Sequence, residues 1–392
     1  MKKRLIPVLL ICSMLFSPLL PACRAESDLF TEEMVQRGLI STGNTERIQR
    51  AMEKARKGED VTLVFLGGSI TEGSLAQPQK THCYAALSAG IFADTYAADP
   101  ARVHYVNAGI SGTPSKLGIT RLEQDVLCHN PDVVFVEFAV NDSNDMQSQK
   151  VYESLVRRLL KSQSAPAVVL IFTLLSSGYS CQPHMSAIGQ YYDLGMISVK
   201  NALQPEFTAG RMTFADYSPD YAHPNTRGHA FLANMVAWYF EQAAQTPAAP
   251  FTVPDAPLQG NFCENLENIR AGSPLILKEG SFPQAVTPCY SYLKGWKHTM
   301  YTGQEPMTIQ LKGGPLFLVF KQENNEKCGN LEVWVDGVLK KTLNGHSPSA
   351  WGNPVTEIIG LGSANETHTV ELRMAEGHHM RDFTLLDLAY VP

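Results

Sequence analysis

Val61-Thr-Leu-Val-Phe-Leu-Gly-Gly-Ser69-Ile-Thr-Glu-Gly73 is the stretch that decides the fold. An apolar run rich in β-branched residues stops at Gly67-Gly68, and a serine follows at once. Val61 to Leu66 lacks the polar alternation of a half-exposed strand, so it reads as a strand buried on both faces. Two glycines then admit a sharp turn with φ > 0. Ligands of open α/β sheets bind at the carboxyl ends of strands. Ser69 therefore stands where a nucleophile would stand. The plainer alternative is a strand-to-loop turn with a solvated Ser-Thr pair, and only the rest of the chain decides between them.

The chain has 392 residues, enough for two domains, and its 44% hydrophobic content supplies a sizeable core. Net charge is -6 and no long basic run follows the N-terminus, so no nucleic-acid partner is indicated. Met1-Lys-Lys-Arg4 precedes the apolar run Leu5 to Leu20, with small residues at Ala22 and Ala25. Residues 1–25 thus read as a secretory signal, too short in its apolar part for a membrane anchor. Leu20-Pro-Ala-Cys23 also resembles a bacterial lipobox, with Cys23 as the lipidated residue and Pro21 as a departure. The expected location is therefore outside the cell or in its envelope. Six cysteines lie beyond residue 25, three in each half, and none forms a C-x-x-C pattern. Three pairs within halves are impossible, and buried free thiols are the simplest reading.

Beyond residue 25 the pattern alternates. Residues 26–59 read as polar and partly helical, with Asn44 as the N-cap of a helix over 45–57. After the first strand come a helix over 81–95, a strand over 103–108 ending at Gly109-Ile-Ser-Gly112, and a helix over 117–127 with Arg121, Glu123 and Asp125 outward. A strand over 132–140 runs into Asn141-Asp142. A helix over 151–160, a buried strand over 167–174, a helix over 186–203 and a strong helix over 225–244 complete this half. Strands alternating with helices predict a parallel sheet between two helical layers.

Residues 245–257 carry four prolines and read as an extended linker. Beyond them strands follow one another without helices. Leu316 to Phe320, Leu331 to Val335 and His368 to Met374 are examples, with a hairpin turn at Asp336-Gly337. This half reads as an antiparallel β-sandwich, expected to be separable from the first. The expected division is a signal segment over 1–25, an α/β domain over 26–246, a linker over 247–258 and a sandwich over 259–392.

Four segments then align: Gly68-Ser69-Ile-Thr, Ile110-Ser-Gly112, Val140-Asn141-Asp142 and Asp220-Tyr-Ala-His223-Pro224. The first three follow strands, so their loops share one sheet edge, and the fourth precedes the last helix. A serine hydroxyl needs a base to take its proton, and His223 supplies one. Asp220, three residues earlier, reaches back to the other imidazole nitrogen and fixes the tautomer. A tetrahedral intermediate needs preorganised donors for its oxyanion. Each motif is weak alone; together, over residues 60–245, they resemble the SGNH (GDSL-type) hydrolase family. The resemblance implies a three-layer α/β/α hydrolase domain with Ser69, Asp220 and His223 as the catalytic triad. It also implies the Ser69 backbone N–H, the Gly112 backbone N–H and the Asn141 side-chain amide as the oxyanion hole. Gly109 competes with Gly112, and Asn141-Asp142 also fits a plain Asx turn.

Two positions depart from the family pattern. The common Gly-Asp-Ser-Leu reads Gly67-Gly68-Ser69-Ile70, and Ala139 stands where a glycine is usual. Neither change removes a catalytic group. Glu72 and Glu137 are candidates to line the cleft, against the commoner reading of carboxylates near strand ends as solvated or salt-bridged, and His184, in a loop after the fourth strand, is a candidate to border the site. His378-His379 lacks other metal ligands at useful spacing and reads as an exposed loop. Trp296, Trp334 and Trp351 either stack on sugars or fill the sandwich core.

The combined reading is a secreted serine esterase that removes acyl groups, acetyl foremost, from a carbohydrate through an acyl-Ser69 intermediate. It resembles secreted bacterial carbohydrate acetyl esterases, and export with an accessory sandwich favours a polysaccharide over a lipid. No metal or organic cofactor is implied, and the only membrane contact would run through a lipid on Cys23. An O-acetyltransferase on the same fold is one rival. A glycan-binding surface protein with an inactive hydrolase fold is another.

Overall fold

The computed structural model describes residues 29–392; the signal-like segment and Cys23 lie outside the described residues. The first half is built on six strands: β1 (Leu39–Ser41), β2 (Val61–Gly67), β3 (Val103–Gly109), β4 (Val133–Glu137), β5 (Ala167–Phe172) and β6 (Gly195–Ser198). Their spatial order is β1-β6-β5-β4-β2-β3. β2 to β6 run parallel, and β1 adds an antiparallel edge on β6. Strand β2 explains why its sequence does not alternate. Leu63 and Phe65 pack into one core, with Tyr84 and Phe92 of the helix Tyr84–Tyr96 and Phe231 of the helix Thr226–Gln245. Val64 and Leu66 face the opposite core, with Val151 and Leu155 of the helix Met146–Lys161 and Ile188 of the helix Gln182–Tyr191. Phe65 stacks on Phe135 at 4.6 Å, and each such buried ring stabilises the fold by roughly 1.5–3 kcal/mol.

Several elements differ from expectation. The region 186–203 is not one helix: the helix Gln182–Tyr191 ends, β6 follows, and the helix Val199–Thr208 begins. Four residues buried on both faces carry no period that separates strand from helix. The 117–127 segment breaks at Arg121 into the helical turns Ser115–Thr120 and Leu122–Asp125. Arg121 does not point outward; it is fully buried, donating to Gly67 O at 3.3 Å and to Asp125 at 3.0 Å. The helix expected over 81–95 starts at Tyr84, because Cys83 is extended and separates it from the turn Gln79–His82. Asn44 accepts from the Glu46 N–H at 3.0 Å, while the helix itself runs Glu46–Arg56.

The second half forms two antiparallel sheets. One contains β9 (Gln284–Cys289), β10 (Tyr292–His298), β12 (Leu316–Gln322), β15 (Asn353–Ile359) and β17 (Phe383–Tyr390), ordered β15-β12-β17-β10-β9, with β7 (Glu267–Asn268) against β17. The other, ordered β14-β13-β16-β11-β8, contains β8 (Ile276–Lys278), β11 (Met307–Lys312), β13 (Asn330–Val335), β14 (Val338–Asn344) and β16 (Thr367–Met374). Asp336 and Gly337 take φ of 51° and 77°, as a two-residue hairpin joining β13 and β14 demands. Leu318, Phe320, Val333, Leu372 and Leu385 fill the space between the sheets.

The first of these sheets is buried on its other face as well. Val319 and Leu386 pack on Ile110 and Leu117 of the hydrolase half, and Phe317 and Ala389 join the core beneath Tyr152 and Leu155. The proline-rich segment is bolted down rather than loose. Arg157 donates to Pro254 O at 3.0 Å and Asp255 O at 2.9 Å, and Glu153 accepts from the N–H groups of Leu258 and Gln259.

Candidate active site

Ser69 opens the short helix Ser69–Glu72 directly after β2. The preceding glycines are not needed for positive φ: Gly68 has φ -92° and Gly67 is extended in β2. They are needed for close approach. A β-carbon on Gly67 would lie 2.2 Å from Thr71 Oγ1, and one on Gly68 would lie 2.3 Å from Asn141 Oδ1. The turn thus presses the nucleophile's backbone against the loop that follows β4.

Ser69 Oγ lies 2.8 Å from His223 Nε2, and His223 Nδ1 lies 2.7 Å from Asp220 Oδ2. The other Asp220 oxygen accepts the N–H groups of Ala222 and His223, both at 2.7 Å. Burial opposes the charge on Asp220, but these hydrogen bonds, led by the imidazole, outweigh it and hold its pKa at about 2. An ionised carboxylate only accepts, so Nδ1 carries the proton and Nε2 is left to accept from Ser69. The Asp220–His223 spacing follows from a tight turn locked just before the helix Thr226–Gln245, which Asn225 caps through Gly228 N–H at 2.8 Å.

The expected oxyanion donors are Ser69 N–H, Gly112 N–H and Asn141 Nδ2, and the Asn141 side chain lies against Gly68, next to Ser69. None of them bonds to another described residue. Gly112 has φ 69°, a conformation that favours glycine. The Gly109 N–H, by contrast, is taken by Asn107 Oδ1 at 2.9 Å, and Gly109 serves close packing on Glu72, whose N would lie 2.2 Å from a β-carbon there. Asn141 Oδ1 is buried without a partner.

The carboxylates expected at the cleft hold loops instead. Glu137 is fully buried, so burial raises its pKa while Thr173, Thr71 and the Gly68 N–H donate to it under the nucleophile turn. Glu72 accepts from Ser111 N–H at 2.9 Å and from its hydroxyl. Asp142 accepts the Ser115 N–H at 2.7 Å, and burial pushes its pKa up to about 7. His184 is bonded to Asn144, not to the triad. His378 accepts the Asn330 N–H, and His379 offers its carbonyl to His298. The six cysteines are free thiols, with Cys128 alone exposed.

The three tryptophans separate. Trp296 is core, and Trp334 lies under the Arg373 guanidinium at 4.0 Å. Trp351 is 59% exposed, yet its ring reaches to 2.8 Å from where a Gly112 β-carbon would stand. It borders a cleft of about 410 Å³ with Tyr290, Lys321, Glu323 and Asn325. Sequence reasoning noted Trp351 but not its place over the Gly112 loop, and missed Tyr290, which hydrogen-bonds Trp351. Nothing in local spacing joins residue 351 to residue 112. Tyr221, 65% exposed with its ring 6.4 Å from that of His223, was also missed; an exposed aromatic inside the Asp-to-His turn is the signal that marks it.

Ser69, His223 and Asp220 form one hydrogen-bonded chain at the carboxyl edge of a parallel sheet, and the protein is a carboxylic ester hydrolase. Residues 65–231 match the GDSL-like Lipase/Acylhydrolase family. The chain is 26% identical over 201 residues to an acetylxylan esterase of Geobacillus stearothermophilus, covering 45% of this chain and 92% of that enzyme. It is also similar to a crystal structure of a two-domain esterase (CEX) active on acetylated mannans, at 28% identity and TM-score 0.81, over 91% of this chain and 98% of that one. The same esterase co-crystallised with mannopentaose matches at 27% identity and TM-score 0.81, over 91% and 97%.

Proposed function

We propose that this protein is an exported acetyl esterase acting on an acetylated polysaccharide, with mannan the first candidate. One observation carries the substrate class: Trp351 of the sandwich overhangs the loop of Gly112, so a sugar chain reaching Ser69 would run along an aromatic wall from the second half. The likeness to the acetyl-mannan esterase extends over both halves, which supports the same layout of work. The division at 26–246, 247–258 and 259–392 belongs to this proposal. So does export, which rests on the charged and apolar pattern of residues 1–25, with Cys23 the point of lipid attachment or beside the cleavage site.

In the proposed reaction Ser69 Oγ attacks the acetyl carbonyl as His223 Nε2 takes its proton. Asp220 stabilises the imidazolium and holds its orientation. Negative charge gathers on the former carbonyl oxygen, facing Ser69 N–H, Gly112 N–H and Asn141 Nδ2. Collapse expels the sugar oxygen, which receives the proton from His223. Water then attacks the acetyl-Ser69 ester with His223 again as base, releasing acetate. The His223 side chain is 22% exposed, so water has access for this second half and hydrolysis is favoured over transfer to another sugar. Acetate release from acetylated mannan, acetylated xylan and an aryl acetate tests the proposal. Ester cleavage confined to the aryl acetate would overturn the carbohydrate assignment, and no cleavage by the wild type, or full cleavage by Ser69→Ala, would overturn the mechanism.

A further inference from the structure

The direction of the Gly112 N–H is set by the peptide that joins it to Ser111. Gly112 is a poor guardian of that direction, because a residue without a side chain turns freely. The flanks of the loop are tied elsewhere: Thr113 Oγ1 donates to Ile110 O at 2.7 Å, and the Ser115 N–H donates to Asp142. Ser111 itself has one anchor. Its N–H and its hydroxyl both donate to the same Glu72 carboxylate oxygen. Bonds on either side of one α-carbon fix the orientation of the whole residue. Glu72 closes the four-residue turn that Ser69 opens, and its own N–H bonds Gly68 O at 3.0 Å. Positions three apart on a helical turn share a face. The nucleophile and the anchor of the donor loop are therefore two ends of one rigid piece. Gly109, with no β-carbon, lets that piece sit directly on the end of β3.

We propose that Glu72 is a positioning residue: by locking Ser111 to the nucleophile's own helical turn, it aims the Gly112 N–H at the oxyanion. The inference rests on the esterase reading above. Its role is geometric rather than electrostatic, since a negative charge near a developing oxyanion opposes the reaction. A glutamine keeps an oxygen with two acceptor sites and can hold both Ser111 donors.

The test is steady-state kinetics on an aryl acetate, with melts to confirm folding. Glu72→Ala is expected to lower kcat by about ten- to a hundredfold, up to the cost of a misplaced group and below that of a donor lost outright, with KM within about twofold. Glu72→Gln should recover most of that loss, and Ser111→Ala, which keeps the N–H bond, should lose only a few-fold. The affinity of an aryl boronic acid, whose tetrahedral Ser69 adduct puts an oxygen in the hole, should fall in step with kcat. Unchanged kcat in Glu72→Ala, equal impairment in alanine and glutamine variants, or a rise in KM alone would overturn the proposal. If Glu72→Ala does not fold, Glu72→Asp, one methylene short of Ser111, carries the same comparison. Amide hydrogen exchange over residues 109–116 reads the lock without activity and should quicken in Glu72→Ala but not in Glu72→Gln. A wild type inert toward every ester would sink the esterase reading, while the exchange result still decides whether Glu72 holds the loop.

Discussion

At the residue scale, the polar groups contribute unequally, and the geometry says how. Ser69→Ala and His223→Ala should each cut turnover by several orders of magnitude, because nucleophile and base act as one unit 2.8 Å apart. Asp220→Asn should cost less than either, since it disturbs the tautomer but leaves both reacting groups. Asn141→Ala should lower kcat about 100- to 1000-fold with little change in KM, because in the proposed mechanism its amide meets charge that exists only in the transition state. Kinetics on an aryl acetate check the series, and a KM effect alone at Asn141 would remove it from the oxyanion hole. Asp142, next in the chain, makes a separate prediction about stability. Its folded-state pKa is about 7 against an ordinary 3.8. Between those values the folded protein holds a proton that the unfolded chain has lost, so stability falls as pH rises from about 4 to 7 and the penalty stays in full above 7. Asp142→Asn keeps the oxygen that accepts from Ser115 and removes the ionisation. The difference in melting temperature between variant and wild type should move toward the variant from pH 5 to pH 8. A difference that does not move with pH would show that ionisation of Asp142 is not what limits stability there.

At the scale of elements, sequence legibility depended on whether a partner was local. Strands β2, β4 and β5 were readable because doubly buried strands must be apolar throughout, and the Asp220–His223 contact was readable because both residues share one turn. Strand β6 was not, since four buried residues after Asp193 at φ 51° look like a helix segment. Arg121 was misjudged for a different reason. Its acceptor, Gly67 O, lies 54 positions earlier, so helical spacing alone put the side chain in solvent. Leu316 to Phe320 held a signal that went unread: five apolar residues in succession mark a strand covered on both faces, whereas a free-standing sandwich alternates. The same reasoning exposes the weak point of the junction. Arg157 on the helix Met146–Lys161 is buried and serves Glu264, Tyr192, Pro254 and Asp255 together. Arg157→Ala leaves the Glu264 carboxylate with only Lys161 and the Pro254 and Asp255 carbonyls without their donor, which destabilises the junction. The variant should melt earlier and be nicked by protease within 247–258, where the wild type resists. Equal protease resistance would mean that the apolar contacts alone hold the segment.

At the scale of the whole molecule, the sandwich covers part of the hydrolase half and, in the proposed function, lends Trp351 to the sugar path, and these two duties separate by experiment. Truncation after residue 246 would turn Ile110 and Leu117, now buried under Val319 and Leu386, toward water. Those residues belong to the Gly112 loop and to the helix after it, so a truncant should lose stability and small-ester hydrolysis together. Such a result cannot isolate substrate binding. Trp351→Ala can, because the side chain is mostly exposed and its removal uncovers no core. It leaves Ser69, His223 and Asp220 untouched and frees space above Gly112. Hydrolysis of an aryl acetate should therefore stay within about threefold of wild type, as for surface changes that touch no reacting group. On acetylated manno-oligosaccharides the loss should be larger. Stacking of a large ring contributes about 0.5–1.5 kcal/mol beyond area burial, so kcat/KM should fall about three- to tenfold or more. The fall should lie mainly in KM, since a ring that holds the sugar does so before and during the reaction alike. Kinetics on both substrates, with melting curves for each protein, make the comparison. Equal losses on the aryl acetate and the oligosaccharide would assign Trp351 to holding the Gly112 loop in place, and the aromatic wall would then have no part in recognising the sugar.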